Sequence, residues 1–188
     1  MHYLQSVKNL FLYYKTLGEK AMDQLEPEQL NFQFNEDSNS IGTIVKHLSG
    51  NMISRWTDFM TTDGEKTNRN RDQEFENDLV TKGQIMDRWN EGWAVLFNAL
   101  DSLHEADLDL IVYIRNEGQT VMEAINRQLA HYPYHVGQII FGAKAIKSSP
   151  WSSLTIPRNQ STSYNSDKFA KEKAVRNFTE GEIEKLNK

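Results

Sequence analysis

Residues 128–140 read QLAHYPYHVGQII and place two histidines four positions apart in a segment with helical hydrophobic spacing. Side chains at positions i and i+4 lie on one face of an α-helix, one turn apart. That spacing lets His131 and His135 reach the same metal ion. Pro133 lies between them, where a proline removes one backbone hydrogen bond and tends to kink the helix. The same spacing also occurs in helices whose histidines are structural or solvent-exposed, so a metal site needs a further ligand from elsewhere in the chain.

Outward from this stretch, apolar residues at three- and four-residue spacing predict four long helices. We place them at residues 3–25, 40–60, 81–103 and 120–147. Ser40 suits the N-cap of the second helix, because its hydroxyl can accept a hydrogen bond from a free backbone N–H. Residues 108–121 predict a small hairpin or an extended connector. One apolar stripe on each of four helices favours an all-α fold, a four-helix bundle with long connectors.

The bundle is expected to span residues 1–150, with residues 151–188 as a C-terminal extension packed on it or trailing from it. Residues 151–167 are rich in Ser, Thr and Asn and have no helical period, and residues 169–188 are charged and weakly helical. Residues 61–78 are polar and charged. They predict a solvated loop or, because long loops in compact domains are often functional, a lid or pocket wall.

Composition excludes several classes of function. The 188-residue chain has no cysteine, which excludes disulfides, thiolate zinc sites and cysteine nucleophiles. A formal net charge of −5 argues against binding of nucleic-acid backbones, which requires a basic face. No apolar run approaches the roughly 18 residues that span a membrane, and the N-terminus lacks a secretory signal. We therefore expect a cytoplasmic protein with neither a nucleic-acid nor a membrane partner.

The candidate for the third ligand is His47, on the flank of the apolar stripe of the second helix. Three protein ligands with an open position are typical of catalytic metal sites. Three histidines and water suit Zn²⁺ or Ni²⁺, and iron and manganese are also compatible. The residue after His131 is Tyr132, so the catalytic glutamate of the HExxH zinc-protease motif is missing.

Two segments together resemble the motifs of the DinB/YfiT-like superfamily of metal-dependent enzymes. Residues 41–48, IGTIVKHL, are similar to its first-histidine motif, and residues 128–139, QLAHYPYHVGQI, are similar to its second motif, H-x3-H followed by glycine and glutamine. The resemblance covers roughly residues 1–150. The 61–78 loop and the tail after Pro150 resemble features of a less characterised bacterial subgroup.

The resemblance implies a four-helix bundle, often a homodimer, with a divalent metal held by His47, His131 and His135. Family members with assigned activities include thiol-dependent S-transferases and a maleylpyruvate isomerase, which use low-molecular-weight thiols. We therefore expect a metal-dependent enzyme of the transferase type, in which the metal lowers the pKa of a substrate thiol. The thiolate attacks an electrophile in S-transfer or thiol-assisted isomerisation. Because the chain has no cysteine, the thiol must come from a cosubstrate.

Arg69, Arg71 and Arg158 are candidates for binding the carboxylates of such a thiol, since a guanidinium group recognises a carboxylate bidentately. Each also suits a solvated surface position. Three alternatives stay open at this point. They are a metal-dependent hydrolase that activates water, a non-catalytic metal-binding or stress-response module, and a structural dimer whose histidines bind nothing.

Overall fold

The computed structural model describes residues 2–147 and 150–187, and this part of the chain is mostly helical. Its α-helices are α1 (Tyr3–Met22), α2 (Ile41–Trp56), α3 (Lys82–Asp101), α4 (Val121–Lys147), α5 (Ser161–Phe169) and α6 (Phe178–Leu186). Two short strands, β1 (Ile111–Ile114) and β2 (Glu117–Thr120), form an antiparallel hairpin. The prediction of a helical fold is confirmed, with this one small sheet added to it.

The predicted starts of α2 and α3 are confirmed, and each is capped by a side chain. Ser40 Oγ accepts a hydrogen bond from the backbone N–H of Thr43 at 3.0 Å and so caps α2. Thr81 and Gln84 form a reciprocal capping box at the start of α3. The predicted ends of the first three helices were two to four residues too late. In α2 the helix stops because Thr57 is extended and Asp58 has a positive φ of 47°.

The four long helices share one hydrophobic core. α1 packs on α4, and α2 packs on α3. Phe11, Trp93 and Tyr132 meet at its centre, with ring centroids 5.9 to 6.3 Å apart. Gly92 allows the close approach of α3 to α2, because a Cβ there would lie 2.8 Å from the Cα of Ser49. α4 continues as one helix through Pro133.

The predicted hairpin is confirmed, and its turn is tied to the loop after α2. Arg115 and Asn116 form the turn with φ values of 57° and 61°. The carboxylate of Asp63 accepts hydrogen bonds from both of their backbone N–H groups at 2.8 Å. Three hydrogen bonds from backbone N–H groups, including that of Glu65, lower the pKa of Asp63. This contact fixes the hairpin turn, and with it Arg115, beside the 61–78 loop.

The prediction that residues 151–167 contain no helix was wrong, because α5 begins at Ser161. α5 has no buried residue, so no apolar period marks it in the sequence. α6 packs on α1, where Phe178 contacts the edge of Tyr13 at a centroid distance of 5.9 Å. Among the described residues, no helix is both long and apolar enough to cross a membrane.

Candidate metal centre

Three histidine side chains from two helices converge at one point. His47 comes from α2, and His131 and His135 come from α4. One ring nitrogen from each lies within 4.8 Å of the other two. Nε2 of His131 is 3.1 Å from Nε2 of His135. His47 is buried and the other two are half-buried, so the fold brings together the three residues that the sequence named as metal ligands.

The other ring nitrogen of each histidine, Nδ1, lies beside a side-chain oxygen. The three pairs are His47 with Glu74 Oε2 at 3.0 Å, His131 with Gln128 Oε1 at 3.3 Å, and His135 with Gln138 Oε1 at 2.7 Å. Each oxygen can accept a hydrogen bond from Nδ1–H, which leaves the lone pair on Nε2. Contacts of this kind fix the tautomer and orientation of metal-binding histidines.

This arrangement of nitrogen atoms fits a metal ion. Two Nε2 lone pairs 3.1 Å apart repel each other unless a cation or a proton lies between them. Around a tetrahedral metal with bonds of 2.0–2.1 Å, ligand nitrogens are about 3.3 Å apart. The distance between the two α4 nitrogens is close to this spacing, and a ring nitrogen of His47 lies within 4.8 Å of both, so the three histidines can together hold a metal ion.

Glu74 holds His47 in place and is itself held by Arg69. The Nε and Nη2 atoms of Arg69 donate to the two carboxylate oxygens of Glu74 at 2.7 and 2.8 Å. Glu74 lies in a short 3-10 turn, residues 72–75, whose last residue, Phe75, stacks on the ring of His47 at 5.0 Å. This turn packs on α2 at Gly50, where a Cβ would lie 2.8 Å from Glu74 Cδ. The 61–78 loop therefore forms a wall of the site. Of the two predictions for this loop, a solvated loop or a pocket wall, the second is confirmed.

The site favours neutral imidazoles at His131 and His135 and an ionised carboxylate at Glu74. Burial, together with the neighbouring His135 and His47, lowers the pKa of His131 to about 4. Burial also lowers the pKa of His135. Burial by itself would raise the pKa of Glu74, but the hydrogen bonds from His47 and Arg69 outweigh it and lower that pKa. Neutral imidazole is the form that binds metals.

A buried hydrogen-bond chain fixes α4 against α2 next to the histidines. The hydroxyl of Tyr132 donates to Asn51 Oδ1 at 3.1 Å and accepts from Trp56 Nε1 at 3.0 Å. Tyr132 is fully buried, whereas Tyr134 is 62% exposed. Because Tyr132 adjoins His131 in the chain, this contact stabilises the packing of α4 on α2 next to the histidines.

A cleft of about 250 Å³ opens beside the histidines. His47 and His131 line it together with Asn51, Gln128 and five arginines: Arg55, Arg69, Arg71, Arg115 and Arg127. Two of the three arginines proposed from sequence, Arg69 and Arg71, therefore lie at the cleft. The third, Arg158, is exposed in the segment after α4 and does not belong to the lining.

Comparison with known proteins adds a family but no activity. The family described as "Protein of unknown function (DUF1572)" matches residues 1–160. The chain belongs to this family. No curated protein and no solved structure matches the chain.

In this DUF1572 protein, sequence reasoning missed the residues around the histidines. Gln128 and Gln138 stand three positions from His131 and His135, a spacing that puts each pair on one helix face and was available as a signal. Glu74 had no such signal, because 27 residues separate it from His47. No local sequence signal marked Arg55, Arg115 or Arg127 either, because they come to the cleft from three different segments of the chain.

Proposed function

We propose that this protein is a metal-dependent enzyme whose metal is held by His47, His131 and His135. The observation that carries the proposal is the convergence of one nitrogen from each histidine within 4.8 Å, at the wall of an open cleft. Catalytic metal sites combine three protein ligands with access for a substrate in this way. As part of the proposal, the four long helices are a DinB-like four-helix bundle, which the two histidine motifs support.

The finer proposal is a thiol-dependent transferase or isomerase that uses a low-molecular-weight thiol. A divalent cation in the site supplies a positive charge that lowers the pKa of a coordinating thiol. The chain supplies the rest, as the histidines hold the cation, Glu74 orients His47, and the arginines of the cleft bind anionic groups of the thiol. In S-transfer the sulfur bonds to an electrophilic carbon, the thiol proton passes to solvent, and the leaving group departs with its electron pair.

The contacts of Glu74 favour thiol chemistry over hydrolysis. Metal-dependent hydrolysis is helped by a free carboxylate that takes a proton from water. Both carboxylate oxygens of Glu74 are engaged, one by Arg69 and the other by Arg69 and His47. Glu74 therefore acts as a positioning residue for His47.

The metal part of the proposal is tested by elemental analysis of protein purified without a metal-chelating tag. We expect about one divalent metal ion per chain, lost in His47→Ala, His131→Ala and His135→Ala. The exposed His104 lies outside the site, so His104→Ala is the matched control and should retain the metal. A parent protein that contains no metal and takes up neither Zn²⁺, Ni²⁺ nor Mn²⁺ would overturn the proposal.

The thiol part is tested with protein loaded with Co²⁺. Coordination of a thiol should produce a sulfur-to-cobalt absorption band that saturates with thiol concentration and is absent when an alcohol replaces the thiol. A screen of thiols with electrophilic acceptors then follows turnover. Full metal occupancy with neither the band nor turnover would instead favour a non-catalytic metal-binding or stress-response module.

We also propose a homodimer in a reducing cytoplasm. Exposed aromatic side chains support the dimer: Phe141 on α4 is 75% exposed and lines one groove with Phe32 and Phe34. Contiguous apolar surface of this kind marks interaction sites. Light scattering of the parent and of Phe141→Ser should give a dimer and a shift toward the monomer, and a monomeric parent would contradict the proposal. A reducing compartment suits a chain without cysteine that uses a free thiol.

A further inference from the structure

The cleft beside the histidines concentrates positive charge in an acidic protein. Five arginines line it, although the chain has a formal net charge of −5. They come from four places: Arg55 from α2, Arg69 and Arg71 from the loop after it, Arg115 from the hairpin turn, and Arg127 from α4. Like charges at close range repel, so such a cluster needs compensating negative charge.

The protein supplies only part of that negative charge. Glu65 pairs with three of the arginines, Arg55 at 2.9 Å, Arg115 at 3.2 Å and Arg69 at 3.3 Å, and Glu74 pairs with Arg69. Neither glutamate belongs to the lining of the cleft, and no other acidic residue does so among the described residues.

Two arginines have no carboxylate partner among residues 2–147 and 150–187. Arg71 lies over the ring of Phe75, with its guanidinium carbon 5.2 Å from the ring centroid. Arg127 is exposed on α4, one position before Gln128, which contacts His131. Both guanidinium groups are free to bind an anion at the mouth of the cleft.

The cleft also has more hydrogen-bond donors than acceptors. Arg55 is buried, and its Nε finds no acceptor in the described part of the chain. Buried donors are nearly always satisfied in native proteins, by protein, water or ligand. A ligand rich in oxygen acceptors would satisfy donors that the protein leaves unpaired.

We propose that this cleft binds a small molecule with at least two anionic groups, carboxylates or phosphates, directly beside His47 and His131. Arg71 and Arg127 bind one anionic group at the mouth, and Arg55 faces the other from within. Guanidinium groups recognise both carboxylate and phosphate bidentately. The cleft, with a volume of about 250 Å³, suits a small metabolite. As the substrate class of the enzyme, this inference rests on the proposed function, but anion binding itself does not require the metal.

Calorimetric titration tests the proposal on full-length protein, as purified and after removal of metal by a chelator. The ligands are succinate and pyrophosphate, with succinamide as the uncharged analogue of succinate. We expect succinate or pyrophosphate to bind both forms, more weakly as salt rises because salt screens exposed charges, and we expect no binding of succinamide. The tighter of the two anions identifies carboxylate or phosphate as the group that the cleft recognises.

Variants assign the binding to the cleft. Arg71→Gln and Arg127→Gln should each weaken anion binding about 10- to 100-fold, the range for hydrogen bonds to charged groups. Arg158→Gln removes an exposed arginine outside the lining and should bind the anion like the parent. Binding of neither anion, or equal loss in Arg127→Gln and Arg158→Gln, would overturn the proposal.

Metal content separates this inference from the proposed function. The Arg71→Gln and Arg127→Gln proteins should retain the metal content of the parent, because neither arginine contacts a histidine nitrogen in the described structure. Anion binding by a parent protein that neither contains nor takes up a metal ion would sink the enzyme proposal and leave the anion cleft standing. A parent protein that holds the metal but binds neither anion would overturn the anion cleft and leave the metal part of the proposed function standing. If the metal binds a thiol and the cleft binds anionic groups, mercaptosuccinate should bind Co²⁺-loaded protein more tightly than 2-mercaptoethanol, which has no carboxylate.

Discussion

Gly50 on α2 lies against Glu74, and the carboxylate occupies the space that a side chain at position 50 would need. A Cβ at Gly50 would lie 2.8 Å from Glu74 Cδ and 3.1 Å from Glu74 Cγ. Real Cβ atoms essentially never approach another heavy atom within 3.0 Å. Glycine at position 50 thus allows a loop residue to reach His47, which is three residues earlier on the same helix.

The first prediction concerns Gly50→Ala. The substitution should displace Glu74 from His47 and lower metal affinity about 10- to 100-fold, the usual effect of losing a hydrogen bond to a metal ligand. The helix itself should tolerate the change, because alanine favours a helix over glycine by about 1 kcal/mol. Competition with a chromophoric chelator measures the affinity.

Gly137→Ala is the matched control, since Gly137 also lies in a helix close to the site and a Cβ there meets nothing within 4 Å. It should bind metal like the parent. Equal metal affinities of the two alanine variants would show that the contact of Glu74 with His47 does not require glycine at position 50.

The second prediction concerns the ion pair of Glu74 and Arg69. Glu74→Gln keeps the side-chain size but removes the charge that Arg69 faces in a buried position. Leaving one partner of a buried pair uncompensated costs about 3–5 kcal/mol in free energy of unfolding, and we expect about 3 kcal/mol here because Arg69 keeps Glu65. Urea denaturation of metal-free protein measures it.

The double variant Arg69→Gln/Glu74→Gln supplies the control for that pair. It removes the unpaired charge and should recover part of the stability lost in Glu74→Gln, since residues in contact are not additive. A double variant whose loss equals the sum of the two single losses would contradict a coupled pair.

The third prediction is a pH dependence of the metal-free protein. The folded pKa of His131 is lowered to about 4, against an ordinary value of 6.5 in the unfolded chain. Between these values the unfolded state binds more protons, so stability should fall as the pH falls from 7 to 5. Thermal unfolding across this range measures the slope, and His131→Gln should make it shallower. If the stability of the parent does not change between pH 7 and pH 5, the lowered pKa of His131 in the folded protein is contradicted.

The fourth prediction separates the core from the metal centre. Tyr132→Phe leaves Trp56 Nε1 and Asn51 Oδ1 without their partner and should reduce the free energy of unfolding by about 1–3 kcal/mol. Metal content should stay at the level of the parent, because Tyr132 contacts no metal-facing nitrogen. The exposed Tyr113 provides the control, and Tyr113→Phe should change stability by less than about 0.5 kcal/mol. Loss of metal in Tyr132→Phe would mean that the register of α4 is set by this hydroxyl alone.

The spacing of apolar residues was sufficient to predict the helices that bury an apolar stripe. The long helices were predicted from their apolar stripes, and the start of α2 was also predicted from Ser40 as a local N-cap signal. The short helix α5 was missed because it has no buried residue, and the end of α2 was placed too late because the sequence gives no sign of the positive φ at Asp58.

The sequence by itself determined the helical class. It singled out His131 and His135 by their spacing, and His47 by its place on the flank of an apolar stripe and in a family motif, because these are local properties of the chain. Only the tertiary structure decided which oxygens face Nδ1 of each histidine and which arginines line the cleft. Glu74 reaches His47 across 27 positions, and Arg127 of α4 lines the same cleft as Arg55 of α2. Contacts between residues so far apart in the sequence depend on how the helices pack and on where the 61–78 loop folds back. The packing of the whole core determines both.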